Sequence, residues 1–76
     1  MAIHISLLGD FGKNLKREYT FSGNDNLTIN SIFDILQINR AENLIILLNG
    51  KNGAQYLDVT LNDGDAVTVL PLLDSG

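Results

Sequence analysis

The last seven residues, Leu70-Pro71-Leu72-Leu73-Asp74-Ser75-Gly76, hold the clearest chemical signal in the chain. The stretch is apolar, turns small near its end, and closes on a glycine carboxylate soon after the last predicted strand. A hydrophobic core has no use for such an ending. A narrow slot on another protein does, because small side chains let the backbone enter and glycine permits close approach. Gly76 is therefore the candidate residue for such a slot, entering with its carboxylate. Leu70, Pro71, Leu72, Leu73, Asp74 and Ser75 are the candidate contacts with that partner. Interface energy concentrates in a few buried apolar groups, so Leu70, Leu72 and Leu73 read as the anchor. The competing reading folds these leucines back onto the chain's own sheet.

Other constellations carry less. Asp58, Asp63 and Asp65 invite a hard-cation reading. A helix–loop–helix calcium site needs more oxygen ligands and a distal glutamate, so Asn62-Asp63-Gly64-Asp65 reads instead as a solvated turn. His4 is the sole histidine and falls on the wetter face of the first predicted strand. No nucleophile can be placed beside it, which favours a structural or surface role over acid–base catalysis. Gly50, Gly53 and Gly64 belong to turns, and no phosphate-binding loop is present. The chain has no cysteine, which excludes disulfides, thiolate zinc sites, a cysteine nucleophile and a plant-type iron–sulfur cluster. No bound cofactor and no metal are expected.

Seventy-six residues make one small domain. A chain of this size buries only about 60–65% of its unfolded surface, so its stability margin is thin. With 45% hydrophobic residues it still supports a single core. The net charge of −4 and five scattered cations argue against nucleic-acid binding, which needs several cations aimed at phosphates. Lys13, Lys16 and Arg17 are the only local basic group. No segment is long and apolar enough to span a bilayer, and no secretion signal is read at the N-terminus, so no membrane role and a cytoplasmic location are expected.

The elements that must position the tail follow from periodicity. Residues 2–8 alternate, with Ile3, Ile5 and Leu7 on one face, and predict a half-buried strand. Residues 17–22 alternate again, with Tyr19 and Phe21 together, and predict the second arm of a long-looped hairpin. Thr28 or Asn26 caps a helix whose apolar stripe is Ile29, Ile32, Phe33 and Leu36. The run Leu44-Ile45-Ile46-Leu47-Leu48 predicts a central strand buried on both faces. Residues 49–53 turn, residues 56–59 predict a short edge strand, and Gly64 sits in a turn that favours positive φ. Residues 66–70 form the last predicted strand. Pro71 cannot donate a ladder hydrogen bond, so pairing should weaken there and residues 71–76 should leave as a flexible tail from a 1–70 domain. One helix over a mixed sheet of four to five strands is a two-layer α+β domain of β-grasp, ubiquitin-like type.

The C-terminal half carries a more specific pattern. Asn49-Gly50, Thr60-Leu61, Asp63-Gly64-Asp65, Val67, Val69, Pro71 and the small end Ser75-Gly76 resemble the sulfur-carrier proteins of the MoaD/ThiS family. That family includes the small subunit of molybdopterin synthase and the carrier of thiamine biosynthesis. The resemblance implies that an E1-like adenylyltransferase uses ATP and Mg to form an acyl-adenylate at Gly76. Sulfur from a donor then replaces the adenylate and leaves a thiocarboxylate. The carrier supplies a reachable end and no acid, base or metal. Leu70-Pro71 resembles the molybdopterin branch more than the thiamine branch, which implies a larger synthase subunit as partner.

The chain departs from the family at one place. The usual ending is Gly-Gly, and here it is Ser75-Gly76. If the slot requires positive φ at that position, serine costs roughly 1–2 kcal/mol; an extended conformation accepts it. Asp74 needs a basic partner group if it enters an apolar channel. This departure leaves open a carrier whose partner is adapted to Ser-Gly, and a non-catalytic ubiquitin-like interaction module that has lost terminal activation. A thiamine-type carrier is a further alternative to the molybdopterin reading.

Overall fold

Strict alternation shapes the first strand, β1 (Ala2–Leu7), in which Ile3, Ile5 and Leu7 are buried and His4 is exposed. β2 (Glu18–Ser22) returns antiparallel and pairs Ile3 with Phe21 and Ile5 with Tyr19. Directly paired residues share a face, so the two aromatics extend the core face to the sheet edge. Their rings stack with centroids 6.4 Å apart. The structure, a computed structural model, describes residues 2–9, 11, 15–22, 26–38 and 43–72.

The helix α1 (Ile29–Leu36) is only eight residues long, too short to persist alone in water. Its ends and its buried stripe hold it. Thr28 is the N-cap: its hydroxyl accepts from the Ser31 amide at 3.0 Å, while the Thr28 amide donates to Ser31 Oγ at 3.4 Å. This reciprocal pair satisfies donors that a helix start otherwise leaves orphaned. At the other end Gln37 turns left-handed, with φ 58°. Its amide donates to Asp34 O at 3.3 Å, and the Ile38 amide donates to Phe33 O at 2.9 Å, completing a Schellman stop. Ile29, Ile32 and Phe33 are buried against the sheet as the stripe predicted, and Leu36 packs at its margin.

After α1 the chain enters β3 (Leu44–Leu48), a short β4 (Lys51–Asn52), a 3₁₀ turn (Ala54–Tyr56) and finally β5 (Ala66–Pro71). The strand order is β2-β1-β5-β3-β4, with β5 parallel to β1 and antiparallel to β3. The first and last strands thus meet in the middle of the sheet, with the helix crossing one face. The core lies between that face and α1, where Ile3, Ile5, Ile29, Phe33, Val67 and Val69 are all at most 1% exposed. This five-stranded mixed sheet with one covering helix is the expected β-grasp, ubiquitin-like fold.

Two expectations need correction. The apolar run of β3 is not buried on both faces: only Ile46 is buried, and Leu44, Ile45, Leu47 and Leu48 are half-buried. A single helix covers a single face, and β4 shields β3 on its outer edge only opposite Leu47 and Leu48. The predicted edge strand at residues 56–59 is also absent. Tyr56 ends the 3₁₀ segment and residues 57–59 lie in the turn and bend after it, and the sheet edge is β4 instead. The chain at 57–61 is drawn to the start of the helix. Leu57 O accepts from the Asn30 amide at 3.1 Å, and the Leu61 amide donates to Leu27 O at 2.7 Å. The free N–H groups of a helix start compete successfully for acceptors there.

Candidate functional site

Two turns at one end of the sheet set the path of β5. Asn49 and Gly50 form a two-residue hairpin loop in which both take positive φ, 53° and 83°. That pair of conformations matches the twist of flanking strands, which is why Asn-Gly suits it. The Asn49 side chain then reaches across to the start of β5. Its Nδ2 donates to Asp65 Oδ1 at 3.0 Å and its Oδ1 accepts from the Ala66 amide at 2.9 Å. The Asn49 amide donates to Ala66 O at 2.7 Å. Asp65 in turn closes the Asn62 turn, its Oδ2 accepting from the Asn62 amide at 2.8 Å. Gly64 takes φ 88° in that turn, as expected.

These contacts also account for the acidic residues. Asp65 is engaged by Asn49 and Asn62, and Asp58 Oδ1 accepts from Asn30 Nδ2. Among the described residues no group of three His, Cys, Asp or Glu side chains is placed to hold a metal ion. His4 is exposed on β1, on the face opposite the helix.

From this anchored start, β5 runs between β1 and β3. Val67 and Val69 face the helix, and Thr68 and Leu70 face the other way. Pairing places Ile45 opposite Leu70 and Leu47 opposite Thr68. Ile45, Leu47 and Leu70 therefore share the helix-free face, each half-buried. Across the same face, β1 and β2 present Ser6, His4 and Thr20. The open face is thus apolar on the β3–β5 side and polar on the β1–β2 side.

The candidate partner residues begin at the end of this strand. Leu70 and Pro71 are half-buried, and β5 extends through Pro71, which pairs with Leu44, one residue past the expected strand end. The Leu72 amide still donates to Asn43 O, at 3.0 Å. Leu72 itself is 54% exposed, and strand alternation puts it on the same side as Leu70. Of the leucines that could fold back on the sheet, Leu72 does not. Leu73, Asp74, Ser75 and Gly76 lie outside the described residues, as does Lys13 of the basic group.

Sequence reasoning missed part of this arrangement. Ile45 and Leu47 were read only as core, and their shared face with Leu70 needs the register of β3 against β5. Solvent-open concavities flank the sheet, two of them lined by described residues. One, of about 600 Å³, lies against the hairpin at Leu48, Asn49, Lys51, Asn52, Gln55 and Tyr56. The other, of about 470 Å³, lies at the tail end, against Leu7, Leu8, Gly9 and Arg17. Neither gathers an acid–base pair or a nucleophile among these residues. Among the described residues no helix is long and apolar enough to cross a membrane.

The class defined by this architecture is a ubiquitin-like β-grasp domain with a half-apolar open face leading into its C-terminal residues. Solved proteins share the fold. The solution structure of the Haloferax volcanii HVO 2177 protein matches with a TM-score of 0.74 at 21% identity, covering 100% of this chain and 87% of that one. A chain in the complex of subunits 1 and 2 of molybdopterin-converting factor from Helicobacter pylori matches with a TM-score of 0.65 at 21% identity, covering 100% of both chains. At this identity the likeness establishes the fold. No protein-family model and no curated protein matches the chain.

Proposed function

We propose that this chain is a ubiquitin-like sulfur carrier that works at its C-terminal carboxylate, most specifically as the small subunit of a molybdopterin synthase. The observation that carries the reading is the full-length match in fold to a chain of the molybdopterin-converting factor complex. The motif resemblance from Asn49 to the Ser75-Gly76 end, found independently in the sequence, points the same way. The open face adds a physical rationale. Ile45, Leu47, Leu70 and Leu72 offer a larger synthase subunit or an E1-like adenylyltransferase an apolar strip that runs directly toward the tail.

In this reading the chemistry is simple and belongs to the partners. The Gly76 carboxylate attacks the α-phosphorus of ATP, and pyrophosphate leaves with Mg bound by the activating enzyme. Hydrosulfide, the donor's sulfur at the sulfide level, then adds to the acyl carbon and AMP leaves, so one carboxyl oxygen is exchanged for sulfur. Sulfur finally passes to a pterin precursor. The domain contributes a rigid handle and the C-terminal carboxylate on which the partners act.

A second reading is favoured by Asp74 and Ser75, which put a charge and a hydroxymethyl side chain beside the reacting end, where the family ends in Gly-Gly. It makes the chain an interaction module without terminal chemistry. Intact mass spectrometry separates the two, after incubation with an E1-like enzyme, ATP and a sulfur source. The carrier reading expects a gain equal to sulfur replacing oxygen, located on Gly76, and loss of that gain when Gly76 is deleted. An unmodified wild type beside a converted Ser75→Gly variant selects the module.

A further inference from the structure

The parallel pairing of β1 with β5 continues past the end of β1. The Leu8 amide donates to Val69 O at 2.9 Å, and two residues past the Leu7–Val69 pair on each strand Gly9 stands beside Pro71. The approach is unusually close. A Cβ built on Gly9 would lie 2.7 Å from Pro71 Cδ and 3.0 Å from Pro71 Cγ, and 3.8 Å from Phe11 Cε2. Gly9 also has φ 132°, a conformation that side chains rarely tolerate. Phe11 is half-buried and packs on the core. On the other flank of Pro71, Leu44 pairs with it and Asn43 O receives the next amide, that of Leu72.

We propose that Gly9, supported by Phe11, is a positioning residue that seats the Pro71 ring and so fixes the direction in which the tail leaves the sheet. Pro71 lacks the N–H that would continue the ladder. Without another constraint the strand would be free to fray where the tail begins. Close packing of the ring against a residue with no side chain replaces the missing hydrogen bond. The missing side chain is the device: any Cβ at position 9 would push the ring, and the Leu72–Asn43 bond beyond it, out of place. The mechanical part of this proposal stands on the geometry alone. Its consequence for activation rests on the sulfur-carrier reading above.

The test is amide hydrogen exchange at Leu72 in wild type, Gly9→Ala, Pro71→Ala and the double variant. Gly9→Ala is expected to speed exchange at Leu72 about 10-fold or more, while the Ile5 and Val67 amides keep their protection. In the Pro71→Ala background the ring atoms are gone but the φ strain at position 9 is unchanged. There the same substitution is expected to change Leu72 exchange by only about 2-fold, because the cycle isolates the contact. Equal effects in both backgrounds, or none in either, overturn the proposal. If Gly9→Ala fails to fold, Phe11→Ala gives the readout: faster exchange at Leu72 supports the seat, and unchanged exchange overturns it. Kinetics with an E1-like enzyme then test the aiming. A loosened Gly9→Ala protein should show a KM raised about 10-fold with kcat retained, as expected when positioning rather than chemistry is lost. An unchanged KM in that protein overturns the aiming role. A wild type that is never activated overturns the carrier reading and leaves the exchange result to decide the seat.

Discussion

Asn49 combines two jobs that can be separated by substitution. It adopts φ 53° in the hairpin loop, and its amide group bonds both Asp65 and the backbone of Ala66. An exposed hydrogen bond contributes about 0.5–1.5 kcal/mol. A left-handed conformation costs an ordinary L residue about 1–2 kcal/mol. Asn49→Gly should therefore lose about 1–2 kcal/mol, from the bonds alone, and Asn49→Ala about 1 kcal/mol more, from the added backbone strain. Urea titration of both variants checks the order. Equal midpoints would mean that the loop conformation carries no cost. The turn itself was legible, since Asn-Gly directly after an apolar run is a strong local signal. The bond from Asn49 to Asp65 was not, because it joins residues sixteen positions apart whose proximity depends on strand register. For the same reason Asp65 read as part of a solvated turn, although it also anchors the entry of β5.

At the scale of elements, the helix shows what local pattern does and does not convey. Its stripe and its Thr28 cap could be read directly, because both are short-range features with one physical cause each. Its stop could not. Gln37 takes a left-handed conformation that glycine normally fills, so nothing in the residue types marks it. Gln37→Gly is thus expected to stabilise the domain by about 1 kcal/mol, by removing strain while leaving the Schellman bonds of residues 37 and 38 in place. Thr28→Ala should destabilise by a similar amount, about 1 kcal/mol, by releasing the Ser31 amide. Thermal unfolding of the two variants should move in opposite directions, and a fall in midpoint for Gln37→Gly would refute the strain argument. The misread elements share one cause. The apolar run of β3 and the segment at 56–59 were interpreted from composition, but their fates were decided by what covers them. A lone helix leaves half of β3 open, and the helix start captures residues 57–61.

For the whole molecule, the decisive contrast is between the two faces of one sheet. Phe33, on the helix side, is 1% exposed at the centre of the only core among the described residues. Truncating a buried phenylalanine to alanine costs about 3–5 kcal/mol. At typical per-residue stabilities a domain of this length holds roughly 4–11 kcal/mol in total, so Phe33→Ala should remove a large share of the whole margin. Ile45 faces the other way and is half-buried opposite Leu70. Ile45→Ser forfeits only part of a side chain's burial, about 1–2 kcal/mol, and should leave the fold intact. If the open face docks the larger synthase subunit, the ranking reverses for binding. An apolar group at the centre of an interface typically contributes 2 kcal/mol or more, which is about 30-fold in affinity. Calorimetric titration of folded Ile45→Ser against that subunit should then show a Kd raised about 10-fold or more. A folded variant that binds as tightly as wild type would move the docking surface off the β3–β5 side of the sheet. The tail residues beyond Leu72 would then be left to carry recognition alone.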